Sequence, residues 1–380
     1  MSYDLILQGG RVLDPSQGQD ALADIGFKDG VVAAIGQNLK PGPATTLRDV
    51  TGQIVTPGLI DLHTHVYWGG TSLGIDAGDY CRASGVTTAV DTGSTGPGNF
   101  AGFRAHVIDP SDVRILVYLH VSFAGIYGFG QNIHVGESED IRMMAPREAA
   151  AVADANRDVI VGIKVRVGRH ASGDLGMAPF EHAMQVAQET GLPLMAHIDE
   201  PPPSYEAVID ALRPGDVLTH CFRPFPNSPA TAQGTIKQAV LDARKRGVLF
   251  DVGHGMGSFA FKTARAMLAN GFLPDTISSD VHALCIDGPA FDLVTTMSKF
   301  LCMGVGLPDI IRMTTVNAAM AMKRPELGTL KPGIGADATV LSVQNGSFDY
   351  TDVLEEVMTG QQRITSKGVV IAGKWWHPAG

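Results

Sequence analysis

The chain has 380 residues, 44% of them hydrophobic and 18% charged, which is enough apolar material for one large domain and a smaller module. The net charge of −10 is spread along the chain with no basic face, which argues against a nucleic-acid partner. Cys81, Cys221, Cys285 and Cys302 form no CxxC pair, so neither a disulfide scaffold nor a zinc ribbon is expected.

Residues 1–53 read as short strands and turns. Tyr3 to Gln8 alternates and stops at Gly9-Gly10. Ala23 to Phe27 and Val31 to Ile35 are two more strands, joined by Lys28-Asp29-Gly30 as a hairpin turn. Beyond them, strand-like segments fall near 54–62, 86–92, 113–121, 159–166, 192–198, 216–221, 248–253 and 275–281. Helical stretches separate them, among them Phe180 to Thr190, Thr231 to Arg246 and Phe259 to Asn270. Eight apolar strands alternating with helices predict an α/β fold, a parallel (β/α)8 TIM barrel over 54–325. An open doubly wound sheet is the competitor, and the count of eight favours the barrel. Ala338 to Val343 and Lys367 to Gly373 return to strand, so the ends, 1–53 and 326–380, are expected to pair as one small β-sandwich. The proline-rich stretches Pro201-Pro202-Pro203 and Arg223 to Pro229 read as loop shapers after strands five and six.

Barrel enzymes place their chemistry at the C-terminal ends of the strands. Strand 1 ends Asp61-Leu62-His63-Thr64-His65. Residues two apart in a strand face one side, so His63 and His65 form a two-nitrogen claw for zinc or a similar ion. Strand 4 contains Lys164, costly inside a barrel unless neutralised or paired. As a carbamate it would carry negative charge and two oxygens able to bridge two cations. Arg166, two residues on, faces the same mouth and suits a substrate carboxylate. Strand 5 ends in His197, strand 6 in His220 and strand 8 in Asp280, a carboxylate able to hold an ion and accept a proton. Any one of these residues alone reads as packing or a solvated strand end. Their order on strands 1, 4, 5, 6 and 8 has no structural explanation.

Thr56-Pro57-Gly58-Leu59-Ile60-Asp61-Leu62-His63-Thr64-His65 resembles the opening motif of the amidohydrolase superfamily, and Gly328 to Ala338 resembles its return from the barrel. The likeness covers nearly the whole chain. It implies two divalent ions, zinc being the expected metal: His63, His65, Lys164 and Asp280 around one, Lys164, His197 and His220 around the other. Lys164 would be carbamylated and bridging, a hydroxide between the ions the nucleophile, and Asp280 the proton shuttle. Trp68-Gly69-Gly70-Thr71, Lys164-Val165-Arg166, His197 to Pro202, Thr219 to Phe222, Gly253 to Phe259 and Ser279 to His282 resemble a subgroup of dihydroorotase-like amidohydrolases and deacetylases. Some of its members remove acetyl groups from carboxylates. Dihydroorotases place an arginine two residues after the second histidine, where this chain has Tyr67.

Tyr67 and Trp68 are expected to wall the pocket, and His254 and His282 to stand in mouth loops as substrate contacts. His106, His134, His170, His182 and His377 read as surface or packing residues, and Cys221 as a packed thiol. The predicted activity is hydrolysis of a small amide or ester, an acyl or acetyl bond in a carboxylate-bearing substrate. The alternatives are a single-metal deaminase, suggested by His197-Ile198-Asp199-Glu200, a dihydroorotase-like cyclic amide hydrolase, and a non-catalytic barrel. The N-terminus lacks a basic stretch before a long apolar run, and no apolar run reaches membrane-spanning length. A cytoplasmic enzyme with a small-molecule substrate and no membrane partner is expected; homo-oligomer formation is left open.

Overall fold

The computed structural model describes residues 2–377. Near the N-terminus, apolar side chains recurring along extended backbone build β1 (Leu5–Asp14), β2 (Gln19–Lys28), β3 (Val31–Gly36), β4 (Thr46–Asp49) and β5 (Ile54–Pro57). The β2–β3 turn puts Asp29 at φ 52° and Gly30 at φ 81°, the two left-handed residues that a tight hairpin requires.

The expected strand 54–62 divides at Gly58. A side chain there would meet Thr87 Oγ1 at 2.1 Å, so only glycine lets the backbone pass from one sheet to the next. β6 (Leu59–Thr64), β7 (Val86–Thr92), β8 (Arg114–His120), β9 (Ile160–Val167), β10 (Leu194–Ile198), β11 (Val217–Leu218) and β12 (Leu249–Phe250) then lie side by side in chain order, all parallel. Helices Ala77–Ser84, Pro146–Ala155, Ala178–Thr190, Tyr205–Ala211, Gln238–Arg246 and Phe261–Ala269 alternate with them. Burial on both faces explains the near-continuous apolar runs. The helix expected from Thr231 starts only at Gln238, because Thr231 and Gly234 close a turn first (Gly234 N to Thr231 O, 2.9 Å).

Segment 275–281 is not a regular strand. It makes one parallel bridge toward each edge of the sheet, Asp251 to Thr276 and Thr64 to Val281. Asp280 N also donates to His63 O at 2.7 Å, and His65 N to Val281 O at 3.0 Å. Asp280 has φ 49° and His220 φ 64°. Left-handed residues interrupt extended backbone, which is why the expected strands 216–221 and 275–281 are short or irregular.

The chain returns through β13 (Ala338–Thr351), β14 (Val357–Ile371) and β15 (Lys374–Trp376). β13 pairs antiparallel with β5, and β5 pairs with β1. Both chain ends therefore enter one eight-stranded sheet, ordered β15-β14-β13-β5-β1-β2-β3, with β4 beside β1. Its core joins Leu5, Leu7, Val12 and Val55 to Leu330, Val340 and Val370. A separate cluster, including Ile60, Leu62, Tyr118, Val161 and Met195, packs the parallel sheet against helix Val316–Ala321. Among the described residues no helix is long and apolar enough to cross a membrane.

Candidate metal centre

His63 and His65 leave β6 with their rings beside Asp280: each Nε2 lies 3.2 Å from Asp280 Oδ1. One donor atom from each of the three falls within 4.8 Å of the others, and all three residues are buried. This cluster can hold a divalent ion. His220 stands next to it, its ring centroid 5.1 Å from that of His63 and 4.5 Å from that of His197. Lys164 Nζ lies 3.4 Å from His63 Nε2. All six residues line one cavity of about 360 Å³.

The rings are held from behind. Thr219 Oγ1 donates its single proton to Asp251 Oδ2 at 2.8 Å, so it accepts from His63 Nδ1–H, also at 2.8 Å. Asp251 is fully buried and takes further hydroxyl donors from Thr276 and Ser278 at 2.6–2.8 Å. His220 Nδ1–H donates to Gly253 O at 2.7 Å, and His65 Nδ1 pairs with Ser94 Oγ at 2.9 Å. Each of these rings thus spends Nδ1 on the protein, and the Nε2 atoms of His63 and His65 face Asp280. Burial holds the imidazoles of His63, His197 and His220 well below their usual pKa, so they are neutral donors at pH 7. His197 Nε2 is buried without a hydrogen-bond partner, an expensive condition unless a ligand completes it. The donor set fits a divalent cation on these grounds.

Asp61 fixes the neighbouring backbone. Its carboxyl accepts from Ser279 N at 2.9 Å and from Tyr80 Oη and Ser279 Oγ at 2.5 Å each, and burial pushes its pKa up to about 7. Burial also pushes the Lys164 ammonium down to about 7, so a large fraction of the amine is neutral near pH 7.

A family model described as the amidohydrolase family matches residues 54–215 and 260–376. The chain belongs to the amidohydrolase family. It is 36% identical over 335 residues to a protein named deacetylase from Brucella anthropi, covering 88% of this chain and 82% of that one. A solved structure of an adenine deaminase superposes with a TM-score of 0.91 at 29% identity, over 99% of this chain and 100% of that chain. A solved dihydroorotase gives 0.91 at 32% identity, over 99% of each. The protein is a hydrolytic enzyme of this family.

Around the amidohydrolase site the structure separates the expected substrate residues. Arg166 and His282 line the cavity. Tyr67, Trp68 and His254 do not. Tyr67 stacks on Phe103 at 4.5 Å, and Trp68 is 62% exposed beside a second cavity with Trp376 and His106. β6 ends at Thr64, so strand alternation no longer aims the residues beyond it. His254 is wholly buried, with Nε2 2.7 Å from Lys299 Nζ. His134 and His170, read as surface or packing residues, line the same cavity as the metal donors. Cys221 is a buried thiol.

Sequence reasoning missed the residues that govern the cavity's charge. Arg166 donates from Nη1 to Glu137 Oε2 at 3.2 Å, and His120 Nε2 lies 3.3 Å from the other Glu137 oxygen. Arg223 also lines the cavity and is 7% exposed. It donates from Nη1 to Ile198 O, its Nε has no hydrogen-bond partner, and it forms no ion pair among the described residues. No periodic signal marks Glu137, and Arg223 sits within a proline-rich stretch.

Proposed function

We propose that the protein hydrolyses a small acyl ester or amide that bears a carboxylate, using two divalent ions, zinc or a similar metal. The observation that carries this reading is the convergence of His63, His65, Lys164, His197, His220 and Asp280 on one cavity, with a completely buried amine among them. Lys164, 3.4 Å from His63 Nε2, would be shared by two donor groups. His63, His65 and Asp280 would hold one ion, and His197 and His220 the other. Carbon dioxide added to the neutral Lys164 amine would form an N–C bond and release a proton to solvent, and the resulting carbamate would supply negative charge to help hold the ions. The ions supply Lewis acidity toward a carbonyl and lower the pKa of water. The parallel sheet and segment 275–281 belong together as one closed barrel over 54–325, and the ends, 1–53 and 326–380, form the smaller domain as a β-sandwich.

Asp280 accepts a proton from the attacking water and returns it to the leaving oxygen or nitrogen. Arg223, the cavity arginine without a carboxylate partner, holds the substrate carboxylate. Arg166, which lines the cavity while paired with Glu137, assists, and His282 contacts the substrate. Leu73, Ile126, Phe129 and Met256 supply the apolar part of the cavity and exclude water from the acyl group. The enzyme works on a free small molecule in the cytoplasm.

The test is metal analysis together with a turnover screen against N-acetyl amino acids, O-acetyl α-hydroxy acids, dihydroorotate and small lactones. Two ions per chain and hydrolysis of an acetylated acid are expected. The likeness to an adenine deaminase and the Asp199 carboxylate standing 3.6 Å from His197 Nε2 favour a second reading, a single-metal deaminase. One ion per chain and ammonia release from adenine would establish that reading and overturn the first.

A further inference from the structure

Lys299 lies on helix Leu293–Cys302 and is completely buried, yet it meets no carboxylate at ion-pair distance among the described residues. Burying an amine is costly unless its donors are satisfied. Here three acceptors surround Nζ, each at 2.7 Å: Pro289 O, Thr351 O and His254 Nε2. They come from three different places, namely the loop following Asp280, the end of β13 in the terminal sheet, and the loop following β12. Gly255 O, 2.9 Å from His254 Nδ1, can only accept, so the imidazole proton sits on Nδ1 and Nε2 accepts from Lys299 Nζ. The ring is further held flat against Phe259, centroids 4.7 Å apart.

The loop fixed in this way touches the site directly. His254 N donates to Ser278 O at 3.2 Å and Gly255 N to Ser279 O at 2.9 Å. Gly255 packs so closely on Asp280 that a Cβ there would lie 2.3 Å from its Oδ2. Met256, Gly257 and Ser258 line the cavity. The same loop is tied to the terminal sheet a second time, through Phe261 N to Asp352 Oδ2 at 2.8 Å and Val353 N to Phe259 O at 3.2 Å.

We propose that Lys299 and His254 are positioning residues for Asp280: the ammonium clamps the imidazole in its Nδ1–H tautomer, and the clamped loop sets where the Asp280 carboxylate and the Met256–Ser258 wall stand. His254 acts through the backbone and does not touch substrate. The terminal sheet contributes to catalysis by holding this clamp through Thr351.

Nitrogen-15 NMR of histidine-labelled protein reads the clamp without turnover, with the His254 signals identified by their loss in His254→Phe. The wild type is expected to show the Nδ1–H tautomer, and Lys299→Met a shift toward mixed tautomers. Turnover of O-acetyl-lactate, the probe for the proposed hydrolysis, gives the second readout. Lys299→Met is expected to lower kcat at least tenfold, with KM within about threefold and metal content unchanged, since small misplacements near a reacting centre are costly. His254→Phe, which keeps a stacked ring, carries the same expectation should Lys299→Met fail to fold. The double variant should be no slower than the slower single one. An Nε2–H tautomer in the wild type overturns the clamp, even if O-acetyl-lactate is no substrate. A folded, metal-replete variant with kcat within twofold of the wild type overturns the positioning role.

Discussion

Replacing Thr219 by valine removes one hydroxyl and almost no volume, and the structure says where the loss lands. Thr219 passes the charge of Asp251 to His63: Oγ1 donates to Asp251 Oδ2 and accepts from His63 Nδ1–H, both at 2.8 Å. Asp251 keeps Thr276 at 2.6 Å and Ser278 at 2.8 Å to both oxygens, so its own solvation changes little. His63 is 1% exposed, so its Nδ1–H is left unpaired with no water to replace the threonine. An unsatisfied buried donor costs about 1–3 kcal/mol, and partners behind metal-binding histidines are worth roughly 10–100-fold in metal affinity or activity. These agree, because about 1.4 kcal/mol is tenfold. Thr219→Val is therefore expected to weaken zinc binding about 10–100-fold in a chelator competition assay, with kcat/KM falling in parallel at limiting metal. Thr276→Val is the control, since it strips a hydroxyl from Asp251 without touching His63. Equal effects of the two substitutions, or a zinc Kd within twofold of the wild type in Thr219→Val, would refute the relay.

Lys164→Ala is expected to lose at least one of two bound ions and most activity, with partial recovery in added formate or acetate; two ions and full rate in the variant would remove the bridge. Asp280→Asn should lower kcat by at least about 10², more for amides than for esters with good leaving groups, because amines need the proton more. Metal analysis must accompany that measurement, and a near-native amide rate at full metal would exclude Asp280 as the shuttle. Arg223→Met should raise KM for a carboxylate substrate by an amount equivalent to about 2–5 kcal/mol and spare its neutral analogue, while Arg166→Met, losing a cation already paired with Glu137, should cost less; equal losses on charged and neutral substrates would make both arginines structural.

The site and the fold were legible in the sequence to different depths, for a physical reason visible in individual residues. His63 could be aimed because it lies in β6, where a period of two says which way side chains point, and His65, one residue past its end, is still held in extended pairing through its N–H to Val281 O. Lys164 stood out because a lone amine in an apolar strand demands a partner. Tyr67 and Trp68, expected to wall the pocket, lie beyond the end of β6, where no strand period fixes which way a side chain points. His220 and Asp280 adopt left-handed backbone, which hydrophobic periodicity does not encode, so the strands drawn through them came out too long. Glu137 is 29 residues from Arg166 in the chain, inside a loop with no repeat to mark it, and its pairing neutralises the arginine that sequence alone made the carboxylate holder. Arg223 followed a histidine into a proline-rich loop and read as a shaper of that loop. Regular strands thus deliver donors to the rim in readable order. The last turn of each ring toward a common centre needs backbone that leaves the strand, and the charge balance of the cavity is set in the loops beyond it. A left-handed residue at the strand end does both: it ends the extended run and swings the side chain across the mouth. His220 and Asp280, on different segments, both do so, which places the information for the donors' convergence in the two positions where periodicity fails.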